Sequence, residues 1–539
     1  MMEPRPALAP SLCRRLALFL LLLIIVLAAC LRLHNLIPVE RGLKALQDYD
    51  EAVWDSTAQL MLQGYLPYRD FFATLPPLGI YLLAAVLRVV YVPWGSGLGL
   101  MATRYASVAY GLATVALVYC IGCRLAGRTA GLAASGVLAV DGMVIGTDRM
   151  AMLEAPLNLF SCLAVLVYLF VYDSREDSRT APLAVAAGVL AALAALAKTP
   201  GMVVILALLT TSVLRRRWRE ALWMVAGFAL AWLAVCGYFV VRCPGSFLKQ
   251  VYFFQFLRPP DGVMRRLTRL YDVWHYGQAW LTVRLSTVGG VLACVLVWKN
   301  KAARRWFVAL AWAGFSLLLI MANSSYYPQY YVQWAVPLSL LCGALFDRRA
   351  WACIWPRVTQ GRDLHWPVGA ALGAGVLLFG LLSGEALRQP AGIWDLLAHS
   401  DPTYYNVADY LRRNSAPEAR VLAFEPNYAF LASRPLAGAR PGGFLVDSYG
   451  EMLYVNLGIE QRPLLDLMKA MLVGKKDGLQ PTFWGRTAQE QTLSAFEQAD
   501  YVVVDGRARY QLEPQTLAAI QARSADVFAA GVATLRRRQ

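Results

Sequence analysis

Twelve apolar runs constrain the fold of this chain more than any other feature. They lie near residues 16–33, 78–92, 104–123, 128–147, 155–172, 182–197, 201–214, 220–241, 280–298, 306–322, 330–346 and 367–386. Several approach the roughly 20 residues that a helix needs to cross the hydrocarbon core of a bilayer. With 58% hydrophobic and only 16% charged residues among 539, the chain is too apolar for an ordinary soluble protein. It reads as a mainly α-helical, polytopic membrane protein. The net charge of +16 does not point to nucleic acid, because Arg and Lys gather at the ends of apolar runs, as they do in cytoplasmic loops.

Those basic loops give the sidedness. Arg14 and Arg15, Arg215 to Arg219, Lys299 to Arg305 and Asp347 to Arg349 are expected in the cytoplasm. Counting between them puts Asp50, Glu154 and Lys198 on the outer side. The run near 78–92 would then begin and end outside, so it is expected as an interfacial or re-entrant helix, leaving about eleven spans. The first run is long enough to be a retained span rather than a signal peptide. The basic, aromatic loop Arg242 to Gln278 suits an amphipathic segment at the headgroup level, in contact with anionic lipid. Cys120 and Cys123 have CxxC spacing inside an apolar run without a matching pair, which favours small-residue helix packing over a metal site.

From about Ala391 the long runs give way to short helical and alternating patterns. The expected organisation is a transmembrane domain over residues 1–390, including an outer loop over 34–103, and a small extracytoplasmic α/β domain over 391–539. Within the latter, strands are expected at Arg420 to Phe424 and Tyr501 to Asp505. Helices are expected at Tyr404 to Asn414, Arg462 to Val473, Thr487 to Gln498 and Pro514 to Arg523. Gly438 to Gly443 is its expected exposed loop.

The polar residues able to do chemistry lie at the outer ends of apolar runs. Asp48, Asp50, Glu51 and Asp55 fall within eight residues. On a helix Asp50 and Glu51 point about 100° apart, so one can face a pocket while the other pairs or caps. Arg149 and Glu154 form a second cluster, where an ion pair between them is the structural alternative. Lys198, in a short turn, could snorkel to the surface or hold a phosphate as a point charge. Tyr327, Tyr330 and Tyr331 fit an interfacial aromatic belt or a surface for sugar or lipid. Asp50, Glu51 and Glu154 could supply oxygen ligands to a divalent metal, although basic side chains alone can neutralise a monophosphate leaving group, so no metal or other cofactor is expected.

Taken in order, Asp50-Glu51, Pro67-Tyr-Arg-Asp-Phe-Phe72, Pro76-Pro77-Leu78, Arg149 to Pro156, Lys198-Thr-Pro-Gly201 and Tyr327-Pro-Gln-Tyr-Tyr331 resemble the bacterial membrane glycosyltransferases of the C superfold. These are relatives of the protein O-mannosyltransferases and of the lipid A aminoarabinose transferase. The resemblance covers roughly residues 10–386. It implies a polyprenyl-phosphate sugar donor and a hydroxyl acceptor on a protein, lipid or glycan. It places the active site on the outer face of the cytoplasmic membrane. By motif position Asp50 matches the acid that acts on the acceptor, Glu154 a second acid, and Lys198 a cation near the donor phosphate. Thr74-Leu75 stands where many relatives carry a lysine before the paired prolines, so Arg69, Arg149 or Lys198 must supply that charge. Gln329 stands where many carry a histidine. The rival class is a secondary transporter or flippase of a lipid-linked saccharide, which would place its polar residues along a path through the membrane centre.

Overall fold

The computed structural model describes residues 10–34, 36, 49–174, 180–258, 263–275, 279–323, 326–347, 349, 403–438, 443–473 and 484–539. Helices dominate the first part of the chain. They begin with α1 (Pro10–Leu33), α2 (Tyr49–Leu62), α3 (Pro77–Trp94), α4 (Ser96–Ala126), α5 (Arg128–Ala139) and α6 (Gly142–Asp148). Next come α7 (Glu154–Asp173), α8 (Thr180–Ala197), α9 (Met202–Leu214) and α10 (Trp218–Arg242), followed by Trp280–Lys299, Trp306–Ala322 and Tyr331–Cys342.

The expected eleven spans are not reached among the described residues, where six helices are long and apolar enough to cross a membrane. A seventh is added if α5 and α6, bent by 65° relative to each other, count as one broken span. Length decides several of the others. At 13 residues, α9 covers about 20 Å at 1.5 Å per residue, short of a core about 30 Å thick. The run near 330–346 forms a 12-residue helix with Pro337 inside it and then a 3-10 turn, Gly343–Phe346. The run near 367–386, the junction near residue 390 and most of the loop between Gly438 and Gly443 lie outside the described residues.

The break between α5 and α6 has a chemical cause. Asp141 sits at the junction and its carboxylate caps α6 by accepting from the backbone N–H of Val144 at 3.1 Å. The hydroxyls of Thr282 and Tyr331 donate to its other oxygen at 2.6 and 2.8 Å. A helix end exposes backbone N–H groups that need partners, and a buried capping acid supplies one here.

Glycines set the closest helix approach. Gly188 on α8 faces the backbone of Met224 on α10, and Gly227 on α10 faces that of Val185 on α8, so that a Cβ at either glycine would collide with a carbonyl. Small residues let two helices pack backbone to backbone where burial of apolar area cannot drive association. Cys120 and Cys123 are free thiols on α4, and Gly122 between them packs against Gly131 of α5.

The C-terminal domain carries a four-stranded sheet in the order β1-β2-β4-β3, made from β1 (Val421–Ala423), β2 (Tyr501–Val504), β3 (Ser524–Ala530) and β4 (Ala533–Arg538). β1 and β2 are parallel, and β4 pairs antiparallel with both β2 and β3. Helices Thr403–Asn414, Leu464–Val473, Arg486–Glu497 and Pro514–Ala522 fall where the sequence pattern puts them. The β3–β4 hairpin does not: β4, which lies between β2 and β3, ends in Arg536, Arg537 and Arg538, which hide the apolar alternation. One hydrophobic core runs through the helices of the membrane part. A second joins Trp54 of α2, Leu83 of α3 and Phe239 of α10 to Phe430 and Val503 of the C-terminal domain. This second core holds the acidic stretch between the two parts of the molecule.

Candidate active site

At the start of α2, Tyr49 and Asp50 are half-buried, whereas every residue from Glu51 to Ala58 is buried. The angular offset between neighbours on a helix separates the two acids. Glu51 turns into the interior, where Arg104 of α4 donates to both its oxygens at 2.6 Å and the backbone N–H of Ala151 donates at 2.8 Å. Asp50 turns the other way, and Gln329 Nε2 donates to its Oδ2 at 3.4 Å.

Lys198 and Glu154 meet at 2.5 Å, each almost wholly buried. Local sequence explains the meeting. Glu154 is the first residue of α7, where a carboxylate is favoured by the positive end of the helix dipole. Thr199-Pro200-Gly201 closes a 3-10 turn immediately after α8, which leaves Lys198 extended at the turn. Burial pulls the Lys198 ammonium down, but the charges of Glu154 and Asp50 outweigh it and hold the group above the ordinary lysine range. The second oxygen of Glu154 is buried and without a hydrogen-bond partner among the described residues.

Tyr330 completes the cluster. Lys198 Nζ lies 5.8 Å from the centre of its ring. Burial pushes the Tyr330 phenol up; the positive charges of Arg258 and Lys198 act against that rise, and Asp50 and Glu154 act with it. These side chains therefore share one electrostatic environment.

Arg258 is a residue that sequence reasoning missed. It ends the helix Phe254–Leu257 with its guanidinium 4.5 Å from the Phe254 ring centre, and its charge is felt at Tyr330, Tyr327 and Asp447. The only signal for it was the basic and aromatic loop read as a lipid contact.

The C-terminal domain reaches the same place. The Tyr49 hydroxyl, next to Asp50 in the chain, donates to Asp447 Oδ1 at 2.9 Å and accepts from the Tyr449 N–H at 3.1 Å. Arg507 covers the Tyr49 ring at 3.8 Å. The Tyr327 hydroxyl donates to that of Tyr449 at 3.2 Å. Burial raises the Asp447 carboxyl, opposed by the Gly450 N–H and by Arg258.

Three of the residues singled out from sequence sit elsewhere. Arg149 does not pair with Glu154; its Nη1 donates to the carbonyls of Leu31, Arg32 and His34 and so caps the end of α1. Arg69 makes a bidentate pair with Asp70 at 2.8 Å, with about half its side chain exposed. Tyr331 is fully buried against Asp141, because its neighbour Tyr330 takes the helix face towards Lys198. Asp50, Glu51 and Glu154 do not converge on a metal: Arg104 holds Glu51, Lys198 holds Glu154, and among the described residues no group of three His, Cys, Asp or Glu side chains is placed to bind one.

Comparison with known proteins gives a fold consistent with this layout. The profile of the dolichyl-phosphate-mannose-protein mannosyltransferase family matches residues 74–240. Curated protein sequences give no match. Among solved structures, ArnT from Cupriavidus metallidurans bound to undecaprenyl phosphate is similar at 15% identity, with 98% of each chain covered and a TM-score of 0.58. The oligosaccharyltransferase of Archaeoglobus fulgidus in its apo form is similar at 12% identity, over 96% of this chain and 74% of that one, with a TM-score of 0.55. The chain thus shares the fold of ArnT and of the archaeal oligosaccharyltransferase.

Proposed function

We propose that the protein transfers a sugar from a polyprenyl-phosphate donor to a hydroxyl acceptor on a protein, lipid or glycan, at the outer face of the cytoplasmic membrane. The observation that carries this reading is one half-buried carboxylate, Asp50, beside a buried cation whose own counter-ion is Glu154. In this reading Asp50 takes the proton of the acceptor hydroxyl as that oxygen attacks the anomeric carbon. The bond from that carbon to the phosphate oxygen breaks, and the phosphate leaves on its lipid. Attack opposite the leaving group inverts the anomeric centre. General-base help of this kind is typically worth about 100- to 10,000-fold.

The departing phosphate needs positive charge already in place. Lys198 and Arg258 are the cations that share the electrostatic environment of Tyr330 with Asp50, so they are assigned to the donor phosphate. Glu154 orients Lys198, and Glu51 fixes α2 through Arg104. Tyr327 and Tyr330 offer ring faces to sugar or lipid. Residues 1–390 are assigned to the membrane transferase domain, with Asp50 on the outer loop 34–103, and residues 391–539 to an extracytoplasmic domain over the acceptor side. A transporter is disfavoured because Glu154 and Lys198 lie at the ends of α7 and α8 and not midway along a span.

Purified protein in vesicles, given a polyprenyl-phosphate sugar and a mixed pool of envelope glycans, lipids and proteins, is expected to release polyprenyl phosphate as labelled product forms. Translocation of intact donor without transfer would reject the reading in favour of a flippase.

A further inference from the structure

A cavity of about 380 Å³ lies between the loop at Tyr68 to Phe72 and the C-terminal domain, within the roughly 300–1,000 Å³ of small-molecule sites. Asp50, Glu154 and Lys198 do not line it. Thr487, Glu490, Gln491 and Ser494 of the helix Arg486–Glu497 do. Their spacing of three, four and seven residues puts four polar side chains on one helix face. Glu451 and Tyr454 of the helix Ser448–Asn456 line the cavity by the same rule. Among the described lining residues four are carboxylates, Asp70, Glu451, Glu460 and Glu490, and one is a guanidinium, Arg69; Asp70 is engaged by Arg69 and Glu490 by Arg486.

We infer that this cavity binds a neutral or amino-substituted stretch of saccharide belonging to the acceptor. The assignment of that saccharide to an acceptor rests on the transferase reading above. Carboxylates and side-chain amides accept from sugar hydroxyls and ammonium groups. An excess of negative charge repels phosphorylated or uronic saccharides. An extended peptide is a poorer fit, since strand addition needs open backbone groups and the C-terminal wall is largely formed by side chains of two helices. Where the chain is extended, Phe71 is already bridged to Phe444.

The cavity adjoins the candidate active site. Phe72 packs against Tyr454 and Phe254 with ring centres 5.0 and 5.6 Å apart, and Phe254 carries Arg258. Tyr449, on the same helix as Glu451 and Tyr454, bonds to Tyr327. These contacts tie the wall of the cavity to Arg258 and Tyr327 of the candidate active site.

The test uses the full chain in nanodiscs and saturation-transfer NMR, with four probes: a glucosamine disaccharide, its N-acetylated form, a glucuronate-containing disaccharide, and a peptide of Ser and Lys. Both glucosamine probes are expected to bind at least tenfold more tightly than the glucuronate probe. The double variant Glu490→Ala, Gln491→Ala should weaken them at least tenfold while leaving polyprenyl-phosphate affinity unchanged. Among the described residues Glu490 pairs across an exposed helix turn with Arg486, so the fold should survive the change. Absence of saccharide binding, equal binding of the glucuronate probe, tighter binding of the peptide or indifference to the double variant would each overturn the proposal. Saccharide binding by a wild-type protein that fails to bind polyprenyl phosphate would instead sink the transferase reading and keep the saccharide site.

Discussion

Glu51 and Arg104 form a bidentate ion pair 53 residues apart in the chain, with both side chains fully inaccessible to solvent. Removing one member of such a pair leaves the other charged and buried, at a typical cost of about 3–5 kcal/mol. Glu51→Gln is therefore expected to lower thermal stability in detergent strongly. Replacing both residues by apolar side chains of similar volume should recover much of the loss. If Glu51→Gln unfolds at the wild-type temperature while turnover falls, Glu51 is acting on substrate and not as a positioning residue.

Asp50→Asn should behave in the opposite way. The substitution keeps the shape and can still bond to Gln329, so stability and donor affinity should stay near wild type. Without a basic carboxylate to take the acceptor's proton, single-turnover transfer should fall by about 100-fold or more. Wild-type transfer rates in this variant would remove Asp50 from the mechanism.

Lys198→Ala and Arg258→Ala should each weaken the equilibrium binding of a polyprenyl-phosphate sugar at least tenfold, since charge-assisted contacts to phosphate are among the stronger polar interactions. The two differ in stability. Lys198→Ala leaves Glu154 buried without its cation, so its unfolding temperature should drop, and Lys198→Ala with Glu154→Gln should restore most of that drop without restoring donor affinity. Unchanged donor affinity in Arg258→Ala would take that residue out of the phosphate site.

Asp55 gives a prediction in pH. It is buried on α2, and burial together with the nearby charge of Glu51 raises its carboxyl well above the ordinary aspartate value, despite the opposing Thr103 bond and Arg104 charge. The folded protein then holds the proton more tightly than the unfolded chain. This contribution is fully present below about pH 4, near the unfolded value, and is lost as pH rises towards the raised folded value. Asp55→Asn should therefore stabilise the protein more at pH 8 than at pH 4.5, as read by unfolding temperature in detergent. A constant difference between wild type and variant across that range would show that the folded protein does not raise the Asp55 carboxyl above its unfolded value.

Apolar runs, basic loop ends and the change of pattern near residue 391 sufficed to indicate a mainly helical membrane protein with a small α/β domain, because bilayer thickness and the placement of charge act on local sequence. The same local logic located Asp50, Glu154 and Lys198 at helix ends. Tertiary structure decided which partner each charge received. Arg149 was the nearest cation to Glu154 in the chain, yet it caps α1 and leaves Glu154 to Lys198, 44 residues away. Arg258 and Tyr449 join the site because separate segments fold over one place; the sequence around Arg258 shows only a basic, aromatic loop, and nothing near Tyr449 marks it. The break between α5 and α6 at Asp141 has the same origin: its partners Thr282 and Tyr331 come from distant helices. Hydrophobicity and helix ends are read within a few residues, whereas a buried charge is satisfied by whatever the packing brings within about 3 Å.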